Sequence, residues 1–181
     1  MIESPRIDYL LDTSVLSHLF DPDRLQHALV KEWIDSLPNA SRKVISAVAL
    51  AELRFGQALA KLNDPGGGSP KLDSILQVVV QHDVLEIAAT TAHEYAFIKS
   101  AVVAKYLPNR LRQSPKRGWG NPETWTDQFT GDALHIQEND LWQCAQAVER
   151  NLTFVSCDVG AERIAQACSG RLLVKLLRAG S

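Results

Sequence analysis

The sequence predicts an α/β fold with a central parallel sheet of about four or five strands flanked by helices. Three observations predict it. Short apolar runs recur along the chain, and segments of helical apolar spacing separate them, the pattern of strand–helix–strand units whose sheet is covered on both faces. The third is size. At 181 residues and 20.0 kDa, residues 1–181 are expected to form a single domain. A chain of this mass buries roughly 70% of its unfolded surface and needs no disulfide or structural metal.

Ile7 to Leu11 reads as a buried strand closed by Asp12, and Thr13 to Phe20 as a helix. Asp21 and Pro22 offer a cap and a first helical residue, so a second helix is expected from there to about Leu37. Lys43 to Ser46 is the next strand, and Ser46 caps a long helix from Ala47 to Leu62. The glycine-rich stretch from Asp64 to Pro70 is a turn between helices, and Ser69-Pro70 opens a helix to about His82. Val84 to Ala88 is a third strand and Thr91 to Tyr106 a helix. Leu107 to Gln137 reads as irregular. Asn139 caps a helix to Asn151, Leu152 to Ser156 is a strand, Ala161 to Cys168 a helix, and Arg171 to Leu176 a last strand.

The composition is 45% hydrophobic and 22% charged, which excludes collagen-like, disordered and coiled-coil classes. No apolar run approaches the roughly 18 residues of a membrane span. Met1 to Pro5 lacks the basic and apolar regions of a cleaved signal, so a cytoplasmic protein without membrane contact is expected. Cys144, Cys157 and Cys168 show no paired spacing and read as reduced, mostly buried thiols. The net charge of −2 is unremarkable, but its distribution is uneven. Lys99, Lys105, Arg110, Arg112, Lys116 and Arg117 fall in a stretch without an acid, and the stretch from Asn121 to Asp140 has acids but no Lys or Arg.

Open parallel sheets place their sites beyond the carboxyl ends of the strands. Asp12 follows the first strand there, and Asp158 follows the fourth; either could equally cap the next helix. Asp140 lies in the first turn of its helix, where the helix dipole alone would favour an acid. Glu52 falls on an apolar stripe formed by Val48, Phe55, Leu59 and Leu62, where an unpaired carboxylate is costly; it should meet either a buried basic partner or a cation. Taken together, a doubly wound sheet would bring all four acids to one edge. Clustered carboxylates repel unless a cation sits among them. Oxygen ligands without His or Cys point to Mg²⁺ or Mn²⁺, and an open acidic cleft of this kind suits phosphodiester hydrolysis.

Four segments carry a resemblance. Residues 10–16 (Leu-Leu-Asp-Thr-Ser-Val-Leu), 46–56 (Ser-Ala-Val-Ala-Leu-Ala-Glu-Leu-Arg-Phe-Gly), 138–147 (Glu-Asn-Asp-Leu-Trp-Gln-Cys-Ala-Gln-Ala) and 152–158 (Leu-Thr-Phe-Val-Ser-Cys-Asp) are similar to the signature segments of PIN-domain ribonucleases, above all the VapC-type toxins of toxin–antitoxin pairs. Asp12, Glu52, Asp140 and Asp158 match the acidic quartet. Ser14 and Ser156 match its supporting hydroxyl residues. The resemblance implies a Mg²⁺-dependent endoribonuclease leaving a 5′-phosphate and a 3′-hydroxyl, inhibited by a cognate antitoxin and usually homodimeric. The alternative is a PIN-like RNA-binding or regulatory module without catalysis. This chain departs from the compact toxins in an insertion around residues 105–134. Its Arg110, Arg112, Lys116 and Arg117 are candidate RNA-phosphate contacts, and Trp119 or Trp125 a candidate base-stacking platform.

Overall fold

The computed structural model describes residues 7–64, 69–112 and 118–178. Its centre is the strand Tyr9–Leu11 (β1), flanked by Lys43–Ser46 (β2) and Thr153–Ser156 (β4). Asp83–Leu85 (β3) and Leu173–Leu176 (β5) form the edges, giving a five-stranded sheet of order β3-β2-β1-β4-β5. Every neighbouring pair is parallel. Leu11 stands opposite Ile45 on one side and Val155 on the other, so the next residue of each strand, Asp12, Ser46 and Ser156, falls in one row at the carboxyl edge.

Successive strand residues point to opposite faces. Leu10, Val44 and Phe154 pack on one side against Ala89–Tyr106 (α5), Glu138–Glu149 (α7) and Val159–Ala167 (α8), through Ile98, Val102, Leu141 and Ile164. Leu11, Ile45 and Val155 pack on the other against Thr13–Phe20 (α1), His27–Ser36 (α2), Ala47–Asn63 (α3) and Pro70–Val79 (α4), through Val15, Leu16, Val30, Leu53 and Leu76. Ser46 and Ser69 cap α3 and α4 as expected, accepting from the amides of Val48 and Leu72. No helix among the described residues is long and apolar enough to cross a membrane. All three cysteines are buried and unbridged.

Four local expectations are corrected. The second helix begins at His27 rather than at Pro22, because the Asp21 carboxylate accepts from the Asp23 amide and from Lys71 Nζ at 2.8 Å, closing a turn instead of capping a helix. Asn139 does not cap α7; Gln137 stands at the N-cap position, where its backbone amide donates to Asp140, and the Asn139 side chain is used elsewhere. The apolar stripe on α3 is not the buried face: Phe55 is 65% and Leu62 76% exposed. The small Ala49 and the neighbouring Leu53 turn inward instead, and the spacing of larger side chains hid them. Part of the segment read as irregular is ordered core. It carries a short helix, Pro108–Arg112 (α6), a single 3₁₀ turn at Pro122–Thr124 and an antiparallel bridge between Thr126 and Ala133. Trp125 is only 1% exposed and donates its indole N–H to the Trp119 carbonyl, so it is no stacking platform for a base.

Gly160, at the start of α8, carries another packing constraint. A Cβ there would lie 2.2 Å from the His135 carbonyl oxygen. Only a glycine lets the chain leading into α7 lie so close against α8, and His135 itself takes φ 52° to do so.

Candidate active site

The buried β1–β4 seam places Asp12. Its side chain is 3% exposed, yet it does not cap α1. Asp12 Oδ2 accepts from Ser14 Oγ at 2.6 Å and from Ser156 Oγ at 2.7 Å, while Oδ1 accepts from Gln143 Nε2 at 3.3 Å. The two hydroxyls also tie down the turn after β4, because Ser14 Oγ accepts from the Cys157 amide and Ser156 Oγ from the Asp158 amide. Burial pushes the Asp12 carboxyl above its ordinary range. The two serine hydrogen bonds pull it back, and the charges of Asp158 and Glu52 push it further up.

Asp140 enters from the first turn of α7. Its Oδ2 accepts the Gln137 amide at 2.8 Å, so it helps cap its helix as well as facing the site. Burial first, and then the charge of Asp12, raise it from 3.8 to about 8, with Asp158 and Glu52 adding in the same direction. Asp158 occupies the N-cap position of α8 but makes no capping hydrogen bond, and it stays exposed. Glu52 is half-buried on α3. Thr13 Oγ1 donates to its Oε2, and Asn139 Nδ2 to its Oε1 at 2.9 Å.

The structure therefore brings all four acids within electrostatic reach of one another at the sheet edge. Arg178 lines the same cleft as Asp140 and Asp158, so a cation borders the acidic edge. The buried ion pair considered for Glu52 is absent, and the capping roles considered for Asp12 and Asp158 are not used. The donors of the cluster are all oxygen, which fits a hard divalent cation. Among the described residues, no three acid, histidine or cysteine side chains are drawn tightly enough to cage an ion. Mg²⁺ accepts such an open arrangement, taking one or two carboxylates and keeping water on its other positions. Asp140 and Asp158 line a cleft of about 530 Å³ with His18, Gln26, His135 and Arg178. Among the described residues the buried Nδ1 of His18 has no hydrogen-bond partner.

Three polar contacts of this site were not singled out from the sequence. Thr13 and Asn139 each adjoin an acid in the chain, and adjacency hid them because both resemble capping residues. Gln143 is one helical turn beyond Asp140, which puts both on one face of α7. It is completely buried, and its Oε1 has no donor in reach, a situation that costs about 1–3 kcal/mol. Of the proposed RNA contacts, Arg110 Nη1 donates to the Trp119 carbonyl at 3.1 Å. Lys116, Arg117 and the side chain of Arg112 lie outside the described residues, as does most of the glycine-rich turn before Ser69.

The PIN domain family model matches residues 9–167. No curated protein matches the sequence. Among solved structures, VapBC2 from Rickettsia felis, described as bound to a DNA fragment from its promoter, is 17% identical with a TM-score of 0.59, covering 94% of this chain and 98% of that one. FitAcB from Neisseria gonorrhoeae is 24% identical with a TM-score of 0.56, covering 92% and 95%. VapBC-1 from nontypeable Haemophilus influenzae is 19% identical with a TM-score of 0.57, covering 94% and 98%. At these identities the likeness is one of fold.

Proposed function

Because this chain belongs to the PIN-domain family, we propose that it is a metal-dependent endoribonuclease and the toxin of a toxin–antitoxin pair. One observation carries the reading: four carboxylates lie within electrostatic reach of one another at the carboxyl edge of the sheet, with Asp12 buried among them.

Asp12, Asp140 and Asp158 would hold Mg²⁺ or Mn²⁺ in this proposal, one or two of them directly and the rest through water. When bound, the cation lowers the pKa of a water and shields the phosphate charge. Glu52 orients the attacking water and takes its proton; Thr13 and Asn139 fix the carboxylate for that task. Water adds to phosphorus as the bond to the 3′-oxygen breaks. That oxygen leaves with a proton, giving the 5′-phosphate and 3′-hydroxyl ends that the family resemblance implies. Ser14 and Ser156 hold Asp12 at its Oδ2, the supporting role that tunes a carboxylate ligand. Arg110, Arg112, Lys116 and Arg117 contact RNA phosphates beside the acidic edge. The protein works in the cytoplasm as a homodimer and is silenced by its antitoxin.

The test is RNA cleavage by the purified protein with Mg²⁺ or Mn²⁺, in EDTA, and after Asp140→Asn. Cleavage that stops in EDTA and disappears in the variant supports the proposal. Full activity in chelator, with trace metal excluded, refutes the metal-dependent mechanism.

A further inference from the structure

α7 carries two completely buried glutamines one turn apart, and they are used differently. Gln146 donates its amide to the carbonyls of Leu85 and Glu86, each at 3.0 Å, and so ties α7 to the end of β3. Among the described residues Gln143 hydrogen-bonds to no backbone group; its amide donates to Asp12 Oδ1 at 3.3 Å. Its carbonyl oxygen, like that of Gln146, is buried without a partner among the described residues, so the two differ in what their amides hold. Leu141, Cys144, Ala145 and Ala147 around it are apolar and buried, so an apolar residue would meet the packing demand of this position without stranding an acceptor. The acid also dictates the orientation of the amide, because a flip would set oxygen against oxygen.

We propose that Gln143 is a positioning residue for Asp12. Ser14 and Ser156 both hold Oδ2, which leaves the carboxylate plane free to turn about that end. The amide on Oδ1 holds the other end, and it does so with a neutral donor that adds no charge to the acidic cluster. The inference rests on reading Asp12 as a cation ligand. It adds a residue outside the acidic quartet and outside the supporting hydroxyls.

The experiment compares Gln143→Met and Gln143→Leu with the unaltered protein, using Gln146→Met as a control. Mn²⁺ affinity is measured by calorimetry on chelator-stripped protein from pH 5 to 8, alongside kcat and KM on RNA. Outer partners of metal ligands typically contribute 10–100-fold in affinity, so Gln143→Met should weaken Mn²⁺ binding at least tenfold. Its kcat should fall while KM for RNA stays within about twofold, since RNA contacts are untouched. Gln146→Met should lower the melting temperature and leave Mn²⁺ affinity unchanged. Gln143→Leu removes the same donor with a different apolar shape and should weaken Mn²⁺ binding to a similar extent.

Wild-type Mn²⁺ affinity in Gln143→Met overturns the proposal whatever the RNA assay shows. If that variant does not fold, wild-type Mn²⁺ affinity in Gln143→Leu overturns it. Weakened Mn²⁺ binding in a protein that cuts no RNA supports Gln143 as a positioning residue and refutes the ribonuclease reading instead.

Discussion

The raised pKa of Asp140 predicts that removing this charge stabilises the metal-free protein, by an amount that grows with pH. In the unfolded chain the carboxyl loses its proton near 3.8, whereas in the folded protein it keeps it to about 8. Below pH 3.8 it is protonated in both states and contributes nothing. Between 3.8 and about 8 the folded state binds the extra proton, so stability falls as pH rises, and above that range it is level. Asp140→Asn removes this titration while keeping an oxygen that can accept the Gln137 amide. At about 1.36 kcal/mol per pH unit, the span sets a ceiling of about 6 kcal/mol. Asp140 is partly exposed, and solvent screening should cut the gain to about 1–3 kcal/mol at pH 8. Urea denaturation in EDTA, followed by tryptophan fluorescence from pH 4 to 8.5, measures it. The two proteins should be nearly equal at pH 4 and separate steadily above it, with the variant the more stable. A pH-independent difference, or a less stable variant at pH 8, would refute the argument that burial and neighbouring acids strain this carboxylate.

Other outcomes follow from the packing. Gly160→Ala should destabilise the fold by about 1–3 kcal/mol and depress cleavage, because the added methyl displaces the His135 backbone that leads into α7; wild-type melting and activity would show that the segment yields freely. Trp125→Ala should cost about 3–5 kcal/mol in urea denaturation, the loss expected of core and not of a base-stacking surface. Burial raises the Cys144 thiol and pushes Cys157 up to about 12 and Cys168 up to about 11, so a disulfide reagent at pH 8 should label none of them until the protein is unfolded. Changing Arg110, Arg112, Lys116 and Arg117 together to Gln should flatten the dependence of log RNA affinity on log salt, in Ca²⁺, by roughly 0.7 per lost phosphate contact. An unchanged slope would detach these side chains from RNA.

The sheet was legible because its strands are buried on both faces and read as short apolar runs. The residue at each carboxyl edge followed directly, so position put Asp12 and Asp158 at that edge, while their choice as site candidates needed the other two acids and the family resemblance. Glu52 was found for a partly mistaken reason. The stripe that seemed to bury it is exposed at Phe55 and Leu62, and its half-buried setting comes from Thr13 and Asn139. Helix starts were less legible where a capping residue had a competing long-range partner, as Asp21 has in Lys71 and Asn139 in Glu52. The insertion was least legible. Its Trp125 and Leu134 join the core only because the chain folds back onto α5, and no local periodicity records that return.

The position of β1 also bears on the order in which the molecule can fold. Its partner β2 arrives soon after it, but Tyr9 meets Thr153 only after 144 intervening steps along the chain (153 − 9). Closing so long a loop adds little to the free-energy cost, since each doubling of length is worth about 0.6 kcal/mol, but pairings this distant slow folding. β4 brings Ser156 and Asp158, so a chain holding only β1, β2 and β3 has Asp12 without one of its two hydroxyl partners and lacks the fourth acid. The acidic centre thus depends on the most distant pairing in the sheet and is incomplete until that pairing forms.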